Sequence, residues 1–195
     1  MRTQTLIGLF VAATIAVVVV LFVATSGGEV KKTTVGIPTA APTADATAKA
    51  ACDSAANGCL PAVQFVDIDG KAYTPSSLVG KVVIVNFWAT WCGPCQKEIP
   101  AFSRIYEKYK DQGVLFLGVM TDSPDAQTLL NFASDYNLTY PIIRVNQDIN
   151  GAFGPQRALP TTIIYDRAGK QIKRIEGGLS EDSLEQFLAP LVASK

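Results

Sequence analysis

Two of the four cysteines in this chain, Cys92 and Cys95, are separated only by Gly93 and Pro94. Thiols at that spacing can close a disulfide and reopen it. The chemistry is dithiol exchange: a thiolate attacks a partner disulfide, and the second thiol resolves the mixed species. The residues before them, Val82-Val-Ile-Val-Asn-Phe-Trp88, form a continuous apolar run, the pattern of a strand buried on both faces. The residues after them place Ile99, Phe102, Ile105, Tyr106 and Tyr109 on one side of a helix. Cys92 therefore falls at a strand-to-helix junction, where unpaired N–H groups and the positive end of the helix dipole stabilise a thiolate. This makes Cys92 the attacking thiol and Cys95, one turn further in and less open to solvent, the resolving one. Gly93 and Pro94 allow the tight turn and leave backbone exposed for a partner chain. The competing chemistry is a structural zinc site built from Cys92, Cys95, Cys52 and Cys59, since C-x-x-C spacing serves metal ligation too.

Exchange also needs a proton acceptor, and the chain contains no histidine. That excludes Cys–His nucleophilic catalysis, His-ligated metal or haem sites and imidazole acid–base chemistry within this chain. The work falls to carboxylates, thiols, tyrosine or water. Glu98, one helical turn after Cys95, is the nearest carboxylate in sequence; a solvated helix glutamate is the alternative reading. Pro100 follows inside the same helix, where it removes a hydrogen bond and is expected to kink the axis.

The elements that must hold these residues can be taken in order. Residues 1–26 contain an almost unbroken apolar run from Leu6 to Ala24, long enough for one membrane-spanning helix. A cleaved signal peptide is the alternative, because Ala24-Thr-Ser26 offers small residues for cleavage. Residues 27–59 are rich in Thr, Ala, Pro and Gly and read as a flexible tether. Cys52 and Cys59 bracket a polar loop at its end and are expected to form a local structural disulfide in an oxidising compartment; a second redox pair exchanging with Cys92 and Cys95 is the sharper alternative.

Residues 60–195 form the folded domain. Val63–Asp67 and Lys71–Tyr73, around Asp69-Gly70, predict an N-terminal hairpin. Val114–Met120 is a second buried strand, so the cysteines sit in a parallel strand–helix–strand unit of right-handed crossover. Ser123-Pro-Asp125 supplies a cap, a first-turn proline and an acid for a helix with Leu129, Leu130, Ala133 and Tyr136 on its apolar face. Tyr140–Val145 offers a short strand. Thr161–Asp166 and Gln171–Glu176, turning at Ala168-Gly169, predict an antiparallel hairpin, and Ser180 caps a last helix with Leu184, Phe187, Leu188, Leu191 and Val192 on its face. The class is α/β, a mixed central sheet flanked by helices. An apolar content of 48% is ample for its core, and 17 basic against 17 acidic residues give no reason to propose nucleic acid as a partner.

The stretch Phe87-Trp-Ala-Thr-Trp-Cys-Gly-Pro-Cys95 resembles the active-site signature of the thioredoxin superfamily. Glu98, Pro100 and the later Leu159-Pro-Thr161 narrow the resemblance to the membrane-anchored thiol–disulfide oxidoreductases of the TlpA/ResA-like kind, which include the CcmG/DsbE-like proteins; it covers roughly residues 61–193. The resemblance implies a thioredoxin fold with a central helix–strand insertion between Thr121 and Val145. It implies a cis proline at Pro160 facing the disulfide, where a trans proline ending a loop is the bland alternative, and a client-binding surface of Trp91, Gly93, Pro94, Leu159 and Pro160. It also assigns Glu98 the proton-transfer role. Asn86 departs from cytosolic thioredoxin, which carries a buried aspartate there; an amide cannot shuttle a proton.

The function implied is reduction of specific protein disulfides on the extracytoplasmic, periplasmic side of a bacterial inner membrane, with a membrane electron donor upstream. Apocytochrome c or a copper-site protein is the client the family suggests, and the redox-active disulfide is the only redox group, with no other cofactor and no resident metal. Two other functions fit the same fold. A thiol peroxidase is disfavoured because its attacking cysteine belongs in a Pro-x-x-x-Thr-x-x-Cys loop, and a non-catalytic copper-thiolate chaperone would use the cysteines as ligands.

Overall fold

The computed structural model describes residues 58–194. The expected membrane anchor, most of the tether and Cys52 lie outside them. Among the described residues no helix is long and apolar enough to cross a membrane.

The centre is β3 (Val82–Trp88), in which all seven residues are buried. Its side chains alternate between two cores. Val83, Val85 and Phe87 join Leu115, Leu117, Val119 and Ile163 on one face of the sheet, while Val82 and Ile84 join Phe102, Ile105, Phe116 and Leu184 on the other. Burial on both faces is what a continuous apolar run predicts for a strand with helices on each side. β4 (Val114–Met120) pairs parallel to β3 with Val82 opposite Val114, and β5 (Ile142–Arg144) pairs parallel to β4. β6 (Thr161–Tyr165) runs antiparallel on the other side of β3, followed by β7 (Gln171–Glu176), so the sheet order is β5-β4-β3-β6-β7. This is the expected mixed sheet.

The N-terminal hairpin is present but short: β1 (Phe65–Val66) against β2 (Ala72–Tyr73). Asp67 shapes its turn, with Oδ1 accepting from the Lys71 N–H at 2.8 Å and Oδ2 from the Tyr73 hydroxyl at 3.0 Å. The hairpin covers the open edge of β5 through a bridge between Asp67 and Ile143. A four-residue helix, α1 (Pro75–Leu78), follows under a Thr74 cap and was not legible in the periodicity.

The helix after β3, α2 (Gly93–Tyr109), runs unbroken through Pro100, so the missing amide does not end it. It packs against the last helix of the chain, α5 (Glu181–Ala193), which Ser180 caps as expected; Arg104 pairs with Glu181 and Lys108 with Glu185 across the two. The inserted segment is a helix and a strand, α3 (Ala126–Asp135) and β5. Its start corrects the sequence reading. Asp125, and not Ser123, is the cap, because its carboxylate accepts from both the N–H and the hydroxyl of Thr128. A further short helix, α4 (Gln147–Phe153), capped by Asn146, was not anticipated; its Ile149 and Phe153 complete the core beneath Phe65 and Phe87.

Candidate active site

The site lies where β3 hands over to α2. Cys92 is the N-cap of α2, and its Sγ accepts from the Cys95 N–H at 3.3 Å. The two sulfurs form a disulfide, with Cα atoms 5.2 Å apart. Cys92 is 4% exposed and Cys95 is fully enclosed, so Cys92 is the more open of the two. Among the described residues, which exclude Cys52, no group of three or more metal-ligating side chains assembles. Beneath the pair lies an apolar bed of Trp88, Ile99, Met120, Leu129 and Phe132, with the Trp88 and Phe132 rings stacked at 5.2 Å. Gly118 makes room for it: a Cβ there would stand 2.7 Å from the Tyr140 ring and 3.1 Å from Trp88 Nε1.

The turn leading into Cys92 is fixed from outside the motif. Asp122, just past the end of β4, accepts from the N–H and hydroxyl of Thr90 at 3.1 and 2.5 Å, and Gln96 donates to the Thr90 carbonyl at 2.7 Å. Thr121 donates twice to the Trp88 carbonyl. Sequence reasoning missed Asp122. Its signal was an acid at the carboxyl end of a strand parallel to the one carrying the cysteines, where α/β sheets gather functional groups.

Glu98 is not a solvated helix glutamate. It is 3% exposed, with Oε1 accepting from Asn86 Nδ2 at 2.9 Å and Oε2 accepting from the Leu179 N–H at 3.0 Å. Asn86 also donates to Thr162 Oγ1 at 3.0 Å, and those two residues are directly opposite in the β3–β6 ladder. Burial pushes the Glu98 carboxyl up to about 7, against the opposing pull of the Leu179 and Asn86 donors. Enclosure, with the nearby Glu98 charge added to it, holds the Tyr140 hydroxyl well above its ordinary value.

The Leu159–Pro160 bond is cis, as the resemblance implied. Its loop is held by Thr161, whose hydroxyl donates to the Ala158 carbonyl at 2.8 Å, and by the Gly177 N–H on the Pro160 carbonyl. Across from the disulfide, Ala158 and Leu159 form one wall of an open groove whose other wall is Trp91, Cys92, Gly93 and Pro94. Trp91 stands 72% exposed at its lip. Of the five residues expected to meet a client, four line this groove; Pro160 is buried behind it and shapes the wall without forming it. Arg157 lines the groove as well and was not anticipated. Cys59 is buried and bridges to Lys170 beside β7, but the expected Cys52–Cys59 pair involves a residue outside those described.

A disulfide at a helix N-terminus with an open groove beside its outer sulfur suits thiol–disulfide exchange, and a carboxyl raised to about 7 stands one turn further along the helix. Residues 53–173 match the AhpC/TSA family. The chain is 37% identical over 129 residues to thiol–disulfide oxidoreductase ResA of Bacillus anthracis, an overlap of 66% of this chain and 73% of the relative. ResA of Halalkalibacterium halodurans is likewise 37% identical, over 131 residues, covering 65% and 73%. Among solved structures, a thiol:disulfide interchange protein of the thioredoxin family from Chlorobium tepidum superposes with a TM-score of 0.64 at 26% identity, covering 73% of this chain and 100% of that one.

Proposed function

The chain belongs to the AhpC/TSA family and is a thiol–disulfide oxidoreductase of the ResA-like kind; from that premise we propose that it reduces specific protein disulfides outside the cytoplasm. The observation that carries the reading is the Cys92–Cys95 disulfide, its outer sulfur opening on a groove and its inner one sealed above Ile99.

In the reduced protein the Cys92 thiolate, held at the N-cap of α2, attacks one sulfur of a client disulfide. That S–S bond breaks, and the other client sulfur leaves as a thiolate. Cys95 then loses its proton, its thiolate attacks Cys92 Sγ, and the second client sulfur departs. Two electrons pass to the client, and Cys92–Cys95 remains as the disulfide. Glu98, with a carboxyl near 7 one helical turn from Cys95, is the group that takes the Cys95 proton. The cysteine pair is itself the redox group, so no organic cofactor and no resident metal enter.

The clients proposed are proteins whose cysteine pairs must be reduced before they take up a cofactor, apocytochrome c or a copper-site protein. The apolar run from Leu6 to Ala24 would hold the domain on the periplasmic side of a bacterial inner membrane, where a membrane electron donor recharges it. Cys95→Ser tests the whole reading: it should accumulate mixed disulfides through Cys92, and the trapped protein identifies the client. Recovery of no adduct with a disulfide-bearing protein would count against it. For the anchor, the full-length chain should resist carbonate extraction from membranes; a mature N-terminus between Ser26 and Lys31 would mark the apolar run as a cleaved signal.

A further inference from the structure

The groove beside the disulfide has a volume of about 490 Å³, and its lining holds one cation, Arg157, and no carboxylate. Arg157 is exposed, and it enters no ion pair among the described residues. The polar side chain next to it is already committed. Gln156 accepts from Arg174 at 2.9 Å and donates to the Gly154 carbonyl at 2.9 Å, and Arg174 is itself paired with Glu176. The carboxylates close to the cysteines are turned elsewhere: both oxygens of Glu98 accept from donors inside the fold, and Asp122 holds Thr90. The only other charge on the first two turns of α2 is Lys97, exposed and of the same sign as Arg157. A segment entering the groove therefore meets an unneutralised guanidinium.

We infer that the groove selects extended client segments carrying an aspartate or glutamate within two residues of the cysteine that Cys92 attacks, with Arg157 as the residue that determines this specificity. The inference rests on the reductase reading above. An extended segment advances about 3.3 Å per residue, so side chains one or two positions from the attacked sulfur stand about 3–7 Å along it, in the groove that Cys92 and Arg157 both line. A carboxylate there can take two parallel N–H bonds from the guanidinium fork. A lysine at the same place meets like charge.

The test uses the reduced full-length chain and three disulfide peptides identical except for Asp, Asn or Lys beside the attacked cysteine. Second-order exchange rates should fall in the order Asp, Asn, Lys, with steps of about two- to fivefold at low ionic strength, the range of an exposed charge pair. The order should flatten in 1 M salt, where screening acts within about 3 Å. Arg157→Gln should remove the order, Arg157→Glu should reverse it, and Arg157→Lys should keep it in weakened form. Equal rates with all three peptides, or an order that survives Arg157→Gln, would overturn the inference and leave the reductase reading standing. Absence of exchange with every peptide would remove the reductase reading and this inference with it.

Discussion

Glu98→Gln isolates the buried carboxylate more cleanly than most such changes, because the chain has no histidine to titrate between pH 5 and 8. The Glu98 carboxyl is raised from an ordinary 4.5 to about 7, chiefly by burial. Below pH 4.5 the group is protonated in both the folded and unfolded chain. Between the two values the unfolded chain ionises while the folded one keeps its proton, so stability falls as pH rises and levels off above about 7. A displacement of that size corresponds to about 3 kcal/mol lost by pH 8. Glutamine resembles the protonated acid and carries no charge, so the slope should vanish.

One contact must adjust in the variant. Both Glu98 oxygens accept from N–H donors, and glutamine offers one oxygen and one NH₂. Asn86 can answer by turning its amide, since its Oδ1 is buried without a partner and Thr162 Oγ1 can donate as readily as accept. The expected result is near-equal stability of the two proteins at pH 5, within about 1 kcal/mol for one rearranged hydrogen bond. At pH 8 the variant should be the more stable by about 2–3 kcal/mol. Urea unfolding of the oxidised chain from Lys31 onward at pH 5, 6, 7 and 8 measures this, with the thiols locked out of titration. Parallel pH profiles for the two proteins would refute the argument. In stopped-flow exchange the same variant should slow resolution more than initial attack.

Cys92→Ser should abolish exchange outright, whereas Cys95→Ser should retain attack and stall at the mixed disulfide; equal trapping by both would contradict the assigned roles. Gly118→Ala should destabilise by about 1–3 kcal/mol through overpacking, since its Cβ would meet the enclosed Tyr140 and Trp88 rings, and thermal unfolding reads this directly. Arg167 donates to the carbonyls of Gly80, Gln112 and Ser194 at 2.9, 3.0 and 3.1 Å, tying three chain segments together. Arg167→Gln should lower stability by about 1–3 kcal/mol and speed amide exchange at the end of α5, with the reduction potential unchanged.

The parts of the molecule legible in the sequence are those whose signal is local. β3, β4, β6 and α2 follow from long apolar runs and a clean helical period, and the cysteines follow from their spacing. α1 and α4 are too short for a period to register, and their caps, Thr74 and Asn146, stand in stretches that read equally well as loop. The α3 start offered two capping side chains, Ser123 and Asp125, on either side of Pro124, and only the reach of Asp125 to Thr128 decides between them. Glu98 carried a signal that the charge obscured: it shares a face with Phe102 and Ile105, at i+4 and i+7, and that face is core. The partners that give it meaning were out of reach, because Leu179 lies 81 residues away and only the packing of the loop before α5 brings its amide there. Asp122 and Arg157 were hidden for the same reason. Each acts across a gap that only the sheet order closes.

The position of Glu98 sets stability against chemistry in a way that magnitudes can decide. A glutamate in solvent on α2 would lose nothing on folding, and it would remain ionised down to its ordinary value near 4.5. As a base for a thiol of ordinary pKa, about 8.5, it would face an uphill proton transfer of about 4 pH units, or about 5 kcal/mol. With its carboxyl at about 7, the same transfer is uphill by about 1.5 pH units, or about 2 kcal/mol. The difference, about 3 kcal/mol, is the same quantity that burial takes from the fold above neutral pH. Two donors temper this: the Leu179 N–H first and the Asn86 amide second lower the carboxyl from where burial alone would put it. On the mechanism proposed above, the stability that Glu98 withholds from the folded chain reappears as base strength one helical turn from the resolving thiol.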